Sequence, residues 1–272
     1  MTRLQRAVQL NNGPLLGIAI YFYDPIFLEI AARKGFRVAW IEMEHAFITF
    51  AEAADLCRIA SGVGMLTMIR IPDARRESVL KAAECGPDII DLPMANSTTV
   101  LHDLVQSARF PPCGQRGFFS VSRAVNYGLV DNVAAEQQKL NEELCLMVQI
   151  ETADAVLLAE ELCRTPDVHV FIGPSDLSAS LGVPGQTGHP KVMEAAEQTI
   201  RIAKQHGKLV AVGAAPQDFP FWVSQGVDVL FCSNDIACLK IGIETVLEQA
   251  KDAIGNHQSN LHPVRSGDRP KS

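Results

Sequence analysis

The chain has 272 residues, with 24 Lys+Arg against 31 Asp+Glu for a net charge of −7, and it is 47% hydrophobic and 20% charged. That composition supplies a sizeable core, and a net acidic chain without a Lys/Arg cluster lacks the footprint that binding a nucleic-acid backbone requires. The cysteines at 57, 85, 113, 145, 163, 232 and 238 contain no Cys-x-x-Cys pair, and no window approaches a signal-peptide core or a membrane span, so a cytoplasmic protein without a disulfide framework or structural zinc is expected.

In chain order, an apolar run over 15–22 reads as the first strand and 27–34 as the first helix. The alternation continues with strands over 37–41, 65–71, 88–92, 144–150, 168–172, 208–212 and 227–232. Helical spacing falls over 50–61, 75–84, 98–109, 153–164, 191–206 and 236–251. Strand runs this apolar imply burial on both faces, as in parallel strands covered by crossover helices. Eight such repeats predict an α/β fold, a single-domain (β/α)8 TIM barrel over 1–254, with an open doubly wound sheet as the alternative. The segment 110–132, with Pro111, Pro112, Gly114, Gly117 and Gly128, is too punctuated for a regular element. It follows the fourth strand and is expected on the face where a barrel builds its active site. From Gly255 onward, 255–272 reads as a polar, flexible tail.

Polar residues cluster where these strands exit. Glu42, Glu44 and His45 follow strand two, Arg70 ends strand three, Asp91 lies in strand four, Gln149 and Glu151 end strand five, and Ser175 and Asp176 follow strand six. Gln149 and Glu151 are two apart and so share a face of the sheet. Glu151 and Asp176 could grip a hard divalent cation such as Mg²⁺ or Mn²⁺ from two sides; alternatively, Glu151 caps a helix and Asp176 belongs to a turn. Arg70 either binds a substrate carboxylate or pairs internally with Glu42 or Glu44. His45 is either a general base or a hydrogen-bonded loop residue. The lysines fall on helices or at the wrong strand end, which disfavours imine chemistry. Dinucleotide, Walker and serine-hydrolase motifs are absent.

Six ordered motifs, Glu42-Met43-Glu44-His45, Ile69-Arg70-Ile71-Pro72, Leu92-Pro93-Met94, 109–117, Val148-Gln149-Ile150-Glu151-Thr152 and Ile172-Gly173-Pro174-Ser175-Asp176-Leu177-Ser178, resemble those of the HpcH/HpaI aldolase/citrate lyase family, in particular its metal-dependent pyruvate aldolases. The resemblance implies reversible cleavage of a 4-hydroxy-2-oxo acid to pyruvate and an aldehyde through a metal-stabilised enolate, in a homohexamer. It implies Glu151 and Asp176 as ligands of Mg²⁺, or of Mn²⁺ or Co²⁺, Arg70 as the pyruvate-binding arginine and His45 as the base. Gln149 and Ser175, with Asp176, line the substrate site. Glu42 and Glu84 stand where the family carries aspartates near the base, the second acting on the histidine of a neighbouring subunit. Ala19 replaces a common tryptophan, and Asp91 replaces an apolar residue. Two other functions remain open: a citramalyl- or malyl-CoA-type lyase, which needs a basic CoA groove, and a barrel that binds an oxo acid without turnover.

Overall fold

The computed structural model describes residues 1–261. Eight strands, β1 (Leu15–Ile20), β2 (Val38–Glu42), β3 (Leu66–Arg70), β4 (Ile89–Leu92), β5 (Cys145–Ile150), β6 (Val168–Ile172), β7 (Val210–Gly213) and β8 (Val229–Asn234), pair in parallel with their sequence neighbours. The β1–β8 pair closes the barrel, with Leu15 against Val229. The predicted (β/α)8 barrel is therefore the fold, and the open sheet is excluded.

The helices are α1 (Arg3–Leu10), α2 (Pro25–Arg33), α3 (Phe50–Gly62), α4 (Arg76–Glu84), α5 (Thr98–Ala108), α6 (Val133–Glu143), α7 (Ala153–Leu157), α8 (Ala159–Cys163), α9 (Pro174–Ser180), α10 (Pro190–Gln205), α11 (Phe219–Ser224) and α12 (Asp235–Leu261). Local chemistry sets their starts. Asp24 accepts from the Ile26 and Phe27 amides ahead of Pro25, and Thr49 and Glu52 form a reciprocal capping box on α3. The helix expected over 153–164 is two, α7 and α8, because Leu158 leaves helical geometry between them.

Alternation along the strands divides two cores. One set of side chains, including Met68, Met147, Trp40, Phe171 and Phe231, fills the barrel, where Trp40 meets Phe171 and Phe231 edge-on at centroid distances of 5.0 and 5.3 Å. The opposite set, including Ile18, Ile20, Ile41, Ile69 and Ile90, is also fully buried, as strands covered by helices require.

The segment 110–132 is not on the face expected for it. Helix α5 carries the chain back to the strand starts before the segment begins. There the Arg123 guanidinium donates to the Cys85, Gly86 and Cys57 carbonyls at 3.1, 2.9 and 3.1 Å, and the Arg116 guanidinium reaches Glu84 at 2.8 Å. The segment thus packs beneath the barrel.

The chain forms two compact units, Met1–Asp235 and a second beginning at Ile236. The first contains the whole barrel. Helix α12 continues through Gly255, where the polar tail is expected to start, to Leu261; one glycine costs a helix only about 1 kcal/mol. The rest of that expected tail, 262–272, lies outside the described residues.

Candidate active site

Register builds the site. Glu42 stands beside Arg70 across β2 and β3, and Arg70 beside Asp91 across β3 and β4. These ionisable side chains therefore enter one layer at the strand exits, and Gln149 joins them from β5. Glu42 is buried and fully used: Oε2 accepts from Arg70 Nε at 2.5 Å, while Oε1 accepts from the Glu44 and His45 amides at 2.7 and 2.9 Å. One carboxylate thus shapes the turn carrying His45. It touches the His45 backbone; the imidazole Nε2 lies 3.5 Å from Glu44 instead.

Arg70 also approaches Glu44 at 3.2 Å, donates from Nη1 to Gln149 Oε1 at 3.4 Å, and lies over Trp40 at 4.9 Å from the ring centroid. Burial works against its charge, but the Glu42 and Glu44 carboxylates outweigh that cost and hold its pKa above the ordinary value. Gln149 Nε2 in turn donates to Asp91 Oδ2. Of the two readings of Arg70 from sequence, the internal ion pair with Glu42 is present, and the side chain also lines a cavity.

Beyond this row, Glu151 Oε1 accepts from the Met94 amide at 2.6 Å, with Met94 held at a φ of 53°. Its other oxygen, Oε2, is buried without a hydrogen-bond partner. Burial is the main cause that raises this carboxyl to about 7; the Met94 amide opposes the rise and Asp176 adds to it. Gly173 lies so close that a Cβ there would collide with Oε2. Ser175 and Asp176 are exposed in the first turn of α9.

His45, Arg70, Gln149, Glu151, Ser175 and Asp176 all line one cavity of about 440 Å³, whose wall contains no lysine among the described residues. That agrees with the disfavoured imine chemistry. Glu84 is the candidate the fold does not bring here: it ends α4 at the strand-start end, paired with Arg116. Sequence reasoning missed Trp40, Thr187 and Asp218 on the cavity wall. Trp40 was findable, because it shares its strand face with Glu42, two residues on. Thr187 and Asp218 lie on loops far along the chain, paired at 3.3 Å, and no local signal marks them.

A divalent cation fits these residues. The orphaned Glu151 Oε2 is a hard anionic donor without a protein partner, and Asp176 is close enough to raise its pKa. No group of three or more His, Cys, Asp or Glu with ligand geometry occurs among the described residues. Two carboxylates with the remaining positions left to water and substrate suit Mg²⁺-like ions.

The family model for HpcH/HpaI aldolase/citrate lyase matches residues 21–246, from just after β1 into α12. The chain belongs to this family. It resembles the 2-keto-3-deoxy-L-rhamnonate aldolase of Klebsiella pneumoniae, with 34% identity over 73% of this chain and 74% of that protein. The enzyme of the same name from Escherichia coli K12 is 32% identical over 83% of this chain and 88% of its own length. The crystal structure of an HpcH/HpaI aldolase from Desulfitobacterium hafniense DCB-2 superposes with a TM-score of 0.81 at 28% identity, over 98% of this chain and 100% of that one. As a member of this aldolase family the chain is an enzyme of the carbon–carbon lyase class. Among the described residues no helix is long and apolar enough to cross a membrane.

Proposed function

We propose that the protein is a class II pyruvate aldolase that reversibly cleaves a 4-hydroxy-2-oxo acid, first among candidates a 2-dehydro-3-deoxy sugar acid, to pyruvate and an aldehyde. The observation that carries this reading is the pairing, in one cavity, of a buried carboxylate oxygen without a partner, Glu151 Oε2, and a charged, buried guanidinium, Arg70. The relatives named for a keto-deoxy sugar acid support that choice of substrate.

Glu151 and Asp176 would hold the cation, Mg²⁺ in our reading with Mn²⁺ or Co²⁺ as alternatives, and it supplies Lewis-acid stabilisation of the charge that develops on the substrate's 2-oxo group. Arg70 fixes the substrate carboxylate, held in place by Glu42 and Gln149. Gln149 and Ser175 line the same substrate site. His45 takes the proton of the 4-hydroxyl as the C3–C4 bond breaks. The bonding pair passes to C3, the aldehyde leaves, and C3 is then protonated to give pyruvate. The turn that Glu42 folds through the Glu44 and His45 amides sets where the imidazole stands. Glu84 would act in an oligomer, a hexamer in our reading, by facing His45 of a neighbouring copy.

The test is pyruvate release from candidate 4-hydroxy-2-oxo acids, followed with a lactate dehydrogenase couple. Release that EDTA stops and added Mg²⁺, Mn²⁺ or Co²⁺ restores is expected. No release from any of them with any of these cations would overturn the proposal.

A further inference from the structure

Strand β4 is apolar at Ile89, Ile90 and Leu92, yet Asp91 between them is completely buried. A carboxyl group in such a place is costly unless its hydrogen bonds are made. Only half of them are: Oδ2 accepts from Gln149 Nε2, and Oδ1 has no partner. An apolar side chain there would remove the orphaned Oδ1 but also the acceptor of the Gln149 amide, so packing alone gives no reason for the acid.

Gln149 supplies one. A glutamine amide has two ends of nearly the same shape and opposite hydrogen-bonding character, so its orientation is set by its partners. Arg70 can only donate and therefore calls for Oε1; Asp91 accepts and calls for the NH2 group. Both partners select the same orientation. Without the acceptor at 91, the Gln149 NH2 would be a buried donor without a partner, since the residue is only 1% exposed. It would turn toward the neighbouring carboxylates, and Arg70 would lose its contact with Oε1.

We propose that Asp91 is a positioning residue for substrate binding: it locks the Gln149 amide so that Oε1 steadies the Arg70 guanidinium that receives the substrate carboxylate. The inference rests on the reading of Arg70 given above. Asp91 is faced by Arg70 from β3, Glu42 from β2, and Gln149 and Glu151 from β5. Burial pushes its carboxyl up to about 8, against the Gln149 hydrogen bond and the Arg70 charge. That rise favours its neutral form, which asparagine closely matches in shape while still offering an oxygen to Gln149.

The experiment is calorimetric titration of pyruvate into the Mg²⁺-loaded protein and its variants at pH 7, with thermal midpoints measured alongside. Asp91→Leu should weaken pyruvate binding about 3- to 10-fold, and Asp91→Asn should recover most of the lost affinity. In a Gln149→Leu background, Asp91→Leu should have no further effect on affinity, because the two residues act through one contact. Arg70→Lys is the control on the reading beneath. If it loses affinity while Asp91→Leu binds like wild type, Asp91 is not a positioning residue and the reading of Arg70 stands. If Arg70→Lys itself binds like wild type, that reading fails and this inference falls with it. Equal losses in Asp91→Leu and Asp91→Asn, each with a lowered midpoint, would assign Asp91 a structural role and overturn the proposal.

Discussion

Arg70 shows how a charge can be kept inside a barrel and still line an open cavity. Its Nε and Nη1 are held by Glu42, Glu44 and Gln149, so the plane of the guanidinium is fixed before any substrate arrives. An ammonium cannot reproduce that planar fork. Arg70→Lys should therefore weaken pyruvate binding by about 10-fold or more, in line with the worth of hydrogen bonds to charged groups, while Mn²⁺ affinity changes little; parallel calorimetric titrations with each ligand check it. For Asp91 the stability consequence is separate. Its folded pKa is raised from 3.8 to about 8, so between those values the native state holds a proton that the unfolded chain has lost, and stability falls as pH rises through that window. Asp91→Asn removes this titration. The thermal midpoint of that variant relative to wild type should rise from pH 5 to pH 8.5; a gap that stays constant with pH would show that Asp91 is ionised throughout. Both side chains were legible as polar exceptions in apolar strands, but which partners they take depends on register, which residue types alone do not reveal.

At the scale of elements, strand existence was legible because each strand is an apolar run bounded by breaks, and the structure moves its ends by only a few residues. Helices without an apolar stripe were not: α6 buries none of its residues, so helical periodicity has nothing to mark. Short α9 was hidden in another way, since a Gly-Pro-Ser-Asp sequence reads as a turn, yet Pro174 begins a helix there. That junction is chemically consequential. Gly173 leaves room for the Glu151 carboxylate, and a methyl group at 173 would push Oε2 from its place. Gly173→Ala should cost about 1–3 kcal/mol in stability and lower Mn²⁺ affinity about tenfold or more, read by calorimetry on protein whose circular dichroism remains that of the wild type. Unaltered Mn²⁺ affinity would remove Glu151 from the cation site. Asp176→Asn, three residues further on in the first turn of α9, should reduce cation affinity and pyruvate release together, because a neutral amide is a poorer ligand for a hard ion.

For the whole molecule, one chain supplies every candidate at the barrel mouth except Glu84, which lies at the strand-start end with Arg116. If the oligomer brings Glu84 to a neighbour's His45, catalysis needs an interface. Mixing inactive His45→Ala protein with inactive Glu84→Ala protein under conditions of subunit exchange should then restore partial activity. No recovery despite proven exchange would leave Glu84 as the partner of Arg116 alone. Only the family resemblance suggests such an arrangement, since no property of a single sequence says which copy a side chain faces. The expected placement of 110–132 failed for a related reason: the chain's order gave its neighbours in sequence, while α5 had already taken it to the other end of the barrel.

The barrel's closure has a kinetic side. Seven of the ladders join strands adjacent in sequence, as in Gly17 with Val38, whereas the β1–β8 ladder joins Leu15 to Val229, a span about tenfold longer. Loop-closure entropy grows with the logarithm of length, so this seam costs roughly 2 kcal/mol more to draw shut than the β1–β2 pair and about 1 kcal/mol more than β4–β5, the widest-spaced neighbouring pair. The chain can therefore assemble as a curling ribbon of consecutive strands whose two edges meet late. Until they do, β1 and β8 each present an unpaired edge, the surface on which partly folded chains join one another. Refolding yield should accordingly depend on protein concentration more steeply than the native barrel, which has no edges, would suggest.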